Sequence, residues 1–194
     1  YRIRNSAQTQ FSVFDNGEIE SISCGKVQVN LIQGSPMGLG CCNIYLRLHT
    51  DKYESISLLG SAIHGMQLID DKNYEVKGQF KGIEYACRLL LVEDMNAWLW
   101  SVQLYNTTDL EAEVDLIAVQ DVGLSCANGN EKNNYYISQY VDYQSLQHPE
   151  HGPIVCCRQN EHGPDSIPWL ALGCLDKTAS FSTDGVQFYG YQYR

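Results

Sequence analysis

The sequence predicts an all-β fold in which antiparallel strands form two large sheets packed face to face. Three observations predict it. Hydrophobicity alternates with a period of two almost throughout, turn residues fall between the alternating runs, and no window of about ten residues carries a helical stripe. At 194 residues and 44% hydrophobic, the chain can close one compact domain, residues 1–194, around a substantial core.

The elements follow in chain order. Asn16-Gly17 in "FDNGE" lies between two apolar runs and predicts a type I′ hairpin. In "KVQVNLI", Val27, Val29 and Leu31 share one face, with Lys26, Gln28 and Asn30 on the other. In "NIYLRLH", Ile44, Leu46 and Leu48 oppose Asn43, Tyr45, Arg47 and His49. Trp98, Trp100, Val102 and Leu104 form the apolar face of "AWLWSVQLY". Leu110, Ala112, Val114, Leu116 and Ala118 do the same for "LEAEVDLIAV". "HTDKY", "IDDKNY", "VEDMNA" and "YNTTDL" supply the turns between strands. Two stretches read as irregular. One is the glycine-rich "QGSPMGLGCC", which lacks the Gly-Lys-Ser/Thr of a phosphate loop. The other runs from Gln144 to Trp169, contains four of the five prolines, and has an apolar strand "PIVCC" in its middle.

Composition excludes several function classes. A formal net charge of -10 leaves too few scattered cations to neutralise a nucleic-acid backbone or hold an anionic membrane. "YRIRN" opens no signal peptide, and no apolar run approaches the roughly 18 residues of a membrane span. A cytoplasmic protein is expected, with its true N-terminus upstream of Tyr1. The eight cysteines include two adjacent pairs but no Cys-x-x-Cys, and read as reduced, packed thiols.

The candidate chemistry is sparse. His148, His151 and His162 have metal-ligand character, yet nothing beside them completes a tetrahedral site, and they read as solvated loop residues. Asn106 heads a glycosylation sequon that also reads as a turn. No Gly-x-Ser-x-Gly elbow is present. Asp121 and Asp142 are the carboxylates to weigh as a catalytic pair, Asp121 reading better as an acceptor for loop amides. His49, His64 and Asp121 would be the pieces of a mutarotase-like site.

The stretch "NEKNNYYISQYVDYQ" concentrates rings and amides. A sugar presents an apolar C–H face and a rim of hydroxyls, so tyrosines and amides suit it. The competing reading is a plain strand from Ile137 to Gln144, whereas the polar entry from Ala127 to Asn134 reads as an exposed loop, the kind of segment where function concentrates. Trp98, Trp100 and Trp169 are further rings able to stack on a sugar. The alternation around Trp98 and Trp100 assigns those two to the core.

Several segments taken together resemble the N-terminal β-domain of cellobiose-phosphorylase-type enzymes, glycoside hydrolase family ninety-four (glycosyltransferase family thirty-six). They are "DNGEIESISCGKVQVNL", "NIYLRLH", "LLGSAI", "VQDVGL", "NNYYISQYVDY", "GPIVCCRQNE", "PWLALGCL" and "FSTDGVQFYG", in the family's order along nearly the whole chain. "ISQYVDY", "RQN" and "TDGVQF" look closest to the 1,2-β-oligoglucan phosphorylase and cyclic β-1,2-glucan synthase branch. The resemblance implies an antiparallel β-supersandwich of the galactose-mutarotase-like kind. It implies a parent glycosyltransferase that cleaves a β-glucan with inorganic phosphate as co-substrate, inverts the anomeric centre and yields α-glucose 1-phosphate, without metal or organic cofactor. In that family the general acid sits on an (α/α)6 barrel, so no catalytic residue is expected within residues 1–194. The domain is expected to pack on the barrel, to take part in a homodimer and to lend loops to the sugar site. Asn133, Asn134, Tyr135 and Tyr136 are the expected substrate-binding residues, followed by Arg158 and Gln159. A stand-alone carbohydrate-binding module and a purely structural packing or dimerisation domain are the alternatives.

Overall fold

A computed structural model describes residues 1–37, 42–60, 65–126, 136–161 and 167–190. The described strands are β1 (Arg2–Arg4), β2 (Thr9–Val13), β3 (Ile19–Cys24), β4 (Val27–Gln28), β5 (Cys42–Leu48), β6 (Glu54–Ser57), β7 (Met66–Asp70), β8 (Asn73–Phe80), β9 (Ile83–Leu91), β10 (Trp98–Asn106), β11 (Val114–Gln120), β12 (Ser125–Cys126), β13 (Val141–His148), β14 (Gly152–Gln159) and β15 (Trp169–Leu172). A short helix, α1 (Gly185–Tyr189), follows. The strands pair in the orders β1-β2-β3-β4-β12, β10-β9-β8-β7, β11-β5-β6 and β13-β14-β15. Every ladder is antiparallel. The all-β sandwich expected from the period-two pattern is what the chain forms.

Alternation builds the core directly. Ile83, Tyr85, Cys87, Leu89 and Leu91 of β9 are all buried on one face. Opposite them lie Ile3, Phe11, Val13, Ile19 and Ile22 from the first sheet and Ile44, Leu46 and Leu48 from β5. Each such side chain contributes about 1.5–3 kcal/mol when fully buried. Trp98 meets Phe11 edge-to-face at 5.4 Å and Trp100 meets Tyr74 at 5.9 Å, so both tryptophans are packing residues as the alternation required. Burial raises the Cys42 and Cys87 thiols to about 12, and the seven described cysteines are free.

The structure departs from the sequence reading at four places. The hairpin at Asn16-Gly17 forms, but only Gly17 has positive φ, at 83°. Gly17 N donates to Phe14 O at 3.0 Å, and Phe14 N to Glu18 O at 2.9 Å, a longer hairpin loop rather than type I′. Asn16 Oδ1 accepts from Glu18 N at 3.1 Å, which keeps Asn16 out of the left-handed region. The two-residue turn with both φ positive is instead Lys81-Gly82, which brings Phe80 opposite Ile83. In "LEAEVDLIAV" the strand starts only at Val114, and Leu110 and Leu116 are exposed. The reason is position: β11 is the edge of its sheet, so Leu116 lies beside the buried Leu46 without cover beyond it. The proline-rich stretch is more regular than its composition suggests: within it, residues 144–148, residues 152–159 and Trp169 belong to β13, β14 and β15, which pair into one sheet. Pro153 is tolerated in the middle strand because β15 pairs only with Val155–Arg158, leaving Pro153 nothing to donate to on that side.

The fourth departure is in the tyrosine stretch. Residues 136–138 are helical, and Val141 begins the strand. Gln139 N donates to Tyr136 O at 3.2 Å and Tyr140 N to Ile137 O at 3.1 Å. Ile137 is buried and pins this turn to the body of the domain. These local bonds replace the ladder that a strand from Ile137 would have needed.

Candidate functional site

The sheet β13-β14-β15 carries most of the polar and aromatic groups that the sequence singled out. Its inner face, with Val141, Cys157, Val155, Leu170 and Leu172, packs on the core. By alternation its outer face presents Asp142, Arg158 and Trp169 in one row across the three strands. The row is bonded together. Arg158 Nη2 donates to Asp142 Oδ2 at 3.1 Å, and the guanidinium lies 5.3 Å from the centre of the Trp169 ring. Asn160 Nδ2 also donates to Asp142 Oδ2. Trp169 stays 58% exposed.

Asn160 ties this row to the tyrosine turn, because its N–H donates to Tyr140 O at 2.8 Å. The Tyr136 and Tyr140 rings lie 4.9 Å apart, and Tyr140 Oη donates to Tyr136 Oη at 3.1 Å. Their hydrogen bond is the main reason the Tyr136 phenol is raised above its ordinary value. Tyr136 is thus an exposed member of an aromatic pair at the end of the outer row. Asn133, Asn134 and Tyr135 lie outside the described residues.

Gln159 sits differently from its neighbour Arg158. It is 2% exposed, and its Nε2 donates to Gly123 O at 2.8 Å and Ile137 O at 3.3 Å. Its Oε1 accepts from Glu161 N at 3.0 Å. Both ends of the amide are therefore occupied by backbone, and Gln159 positions the tyrosine turn from beneath. Alternation alone separates Arg158 on the outer face from Gln159 on the inner one.

The Asp142 carboxyl is held below the usual carboxylate range by the Asn160 and then the Arg158 hydrogen bonds. A lowered folded-state value means that its contribution is present above the unfolded carboxylate range, near about 4, and is lost as pH falls through the folded value. Asp142→Asn is expected to flatten the fall of Tm with pH below about pH 4 relative to the parent chain. Parallel acid-side slopes in the two proteins would show that the carboxylate does not contribute this way.

The other candidates resolve into structural roles. Asp121 Oδ2 accepts from Leu31 N at 2.7 Å and Ile32 N at 2.6 Å, so it does serve loop amides. Asn106 Oδ1 accepts from Thr108 N at 3.0 Å and its Nδ2 donates to Leu110 O at 2.6 Å, closing a turn. His148 and His151 stack at 4.6 Å, while His148 Nδ1 accepts from the Glu150 and His151 amides. His162 and His64 lie outside the described residues. His49 Nε2 lies 2.6 Å from Asp115 Oδ2, which also accepts from Arg47 Nε at 2.9 Å. The Tyr53 ring is flanked by Arg47 and His49, at 5.2 and 5.3 Å. A shallow depression of about 330 Å³ beside Arg2, Gln10, Ser12, Glu20 and Lys26 contains no aromatic side chain. No helix among the described residues is long and apolar enough to cross a membrane.

Comparison with known proteins adds two findings. A family model described as the SOGP N-terminal domain matches residues 12–194. A 1,2-beta-oligoglucan phosphorylase of Listeria innocua serovar 6a is 27% identical over 190 residues, which is 97% of this chain and 17% of that protein. The chain thus spans about one sixth of the length of the curated relative it matches.

Proposed function

Because the chain belongs to the SOGP N-terminal domain family, we propose that it is the N-terminal β-domain of an inverting β-glucan phosphorylase acting on β-1,2-gluco-oligosaccharides. The observation that carries this reading is the family match over residues 12–194, joined to a relative named as an oligoglucan phosphorylase. In the proposed reaction a phosphate oxygen attacks the anomeric carbon from the face opposite the leaving sugar. A carboxylic acid protonates the glycosidic oxygen as that bond breaks, and the β-glucoside becomes α-glucose 1-phosphate. The acid and the phosphate-binding groups belong to a helical barrel elsewhere in the protein. Phosphate replaces the activated water of an inverting hydrolase, so no metal or organic cofactor takes part. On this reading the protein works in the cytoplasm as a homodimer.

The domain's own part is sugar binding and assembly. On this reading Asn133, Asn134, Tyr135 and Tyr136 serve the acceptor side of the cleft, with Arg158 as a further sugar contact and Gln159 positioning the turn. The assembly role is supported by the segment after β15. Leu175, Phe181, Val186 and Phe188 are all large, apolar and at least two-fifths exposed, and α1 buries no residue. Such a surface suits packing against another body of protein.

The test is made on the whole protein as its source produces it. Incubation with β-1,2-gluco-oligosaccharides and inorganic phosphate is expected to release α-glucose 1-phosphate, with no release when phosphate is omitted. Asn133→Ala and Tyr135→Ala are expected to raise the acceptor KM several-fold, about 1 kcal/mol of lost binding. Phosphate-independent release of free glucose would overturn the phosphorylase reading. Unchanged acceptor kinetics in both variants would overturn the loop assignment alone.

A further inference from the structure

The outer face of the β13-β14-β15 sheet has a relief that the row of Asp142, Arg158 and Trp169 only begins. Two residues further along the strands, the next row is Gln144, Cys156 and Ala171. The row after that has Leu146 opposite Ile154. Successive same-face rows are about 6.6 Å apart, and neighbouring strands about 4.8 Å. Short side chains at Cys156 and Ala171 therefore make a low floor on two neighbouring strands, roughly 5 Å across, flanked by the Gln144 amide and lying between two taller rows roughly 13 Å apart. One row ends in an indole, and the other is aliphatic.

The polar groups at this trough retain hydrogen-bonding capacity. Asp142 takes both of its bonds on Oδ2, so Oδ1 has no partner among the described residues, and the side chain is 61% exposed. Asn160 uses its Nδ2 but not its Oδ1, and the exposed Gln144 amide makes no side-chain bond among the described residues. The Arg158 guanidinium covers one side of the Trp169 ring, yet the residue remains more than half exposed, so ring surface is left open.

These features select a ligand class. Arg158 is neutralised by Asp142, and the chain as a whole is acidic, so an anionic ligand is repelled. What the trough offers is one aromatic surface, neutral amides and a carboxylate acceptor. That set matches a ligand with an apolar face and a rim of hydroxyl donors. We propose that the outer face of this sheet is an accessory binding platform for a neutral gluco-oligosaccharide, with a glucosyl ring stacked on Trp169 and its hydroxyls bonded to Asp142, Asn160 and Gln144. The platform adjoins the tyrosine turn, to which the Asn160 N–H ties it through Tyr140 O. The class of ligand rests on the geometry, while its identity as a β-1,2-linked glucan rests on the phosphorylase reading.

The experiment is calorimetric titration of the whole protein with β-1,2-gluco-oligosaccharides, phosphate omitted to prevent turnover. A Trp169-dependent class of sites is expected, weakened at least tenfold in Trp169→Ala and several-fold in Gln144→Ala. Trp169→Tyr is expected to recover most of the affinity, which separates a lost stacking surface from a damaged fold. Tyr105→Ala, which removes an exposed ring on β10, is expected to leave these sites unchanged. Binding that is equal in the parent and Trp169→Ala proteins overturns the platform, as does the absence of binding beyond a single Trp169-independent class. In either case, phosphate-dependent release of α-glucose 1-phosphate would leave the phosphorylase reading standing. Trp169-dependent binding in a protein without phosphorolysis would do the reverse.

Discussion

Asp121→Ala is expected to lower the unfolding free energy by about 2–5 kcal/mol, a large part of a typical domain's stability. One carboxylate oxygen accepts two main-chain amides, Leu31 N at 2.7 Å and Ile32 N at 2.6 Å. These amides follow β4, which pairs over only two residues. The chain there is held by a few main-chain bonds, such as Val29 N to Ile22 O at 2.8 Å, and by side chains that take over from a regular ladder. Asn30 Oδ1 accepts from Ile22 N at 2.7 Å, its Nδ2 donates to Ile32 O at 2.8 Å, and Asp121 takes the next two donors. Truncation would leave Leu31 N and Ile32 N without that acceptor in a region where Val29 and Leu31 are buried. Asp121→Asn keeps an acceptor oxygen and is expected to lose less than the alanine variant. The check is the urea midpoint at constant m-value. A loss below about 1 kcal/mol in Asp121→Ala would mean that water replaces the carboxylate.

The second large effect is at Gln159. Gln159→Ala is expected to cost about 2–4 kcal/mol, because it leaves Gly123 O and Glu161 N without this partner and takes one of two donors from Ile137 O, which Tyr140 N also reaches. Gln159→Glu is expected to be at least as damaging despite its matching shape. Its carboxylate cannot donate to Gly123 O or Ile137 O, and the site is 2% exposed, so charge and lone pairs would face lone pairs. Hydrogen exchange adds a local reading. The Tyr140 and Asn160 amides, which donate to Ile137 O and Tyr140 O, should lose protection in both variants. If Gln159→Glu matched the parent protein in stability, the amide would not be serving as a double donor.

These two residues illustrate what was legible beforehand. The sequence marks Asp121 as an acceptor for loop amides because it follows a strongly apolar strand, and the structure supplies the amides from a segment ninety residues away. Gln159 stands with Arg158 as an expected sugar contact in the family-like segment "CCRQNE". A strand turns adjacent side chains to opposite faces, so one of any such pair is directed inward, and sequence alone did not say which. The tyrosine stretch alternates as a strand would. Buried Ile137 and the i to i+3 bonds of Gln139 and Tyr140 instead curl its start into a helical turn.

The sequence by itself determined the all-β class, the turns between β5 and β6, β7 and β8, β9 and β10, and β10 and β11, and the inward faces of β5 and β10. Each rests on local alternation or turn chemistry, which needs no knowledge of distant partners. Only the tertiary structure decided that β11 lies at a sheet edge with Leu116 uncovered, that the proline-rich stretch pairs into a sheet, and that Asp142, Arg158 and Trp169 share one row. Those are facts of register between segments far apart in the chain. Register is set by which strands become neighbours, and a period of two is the same whichever neighbour a strand finds.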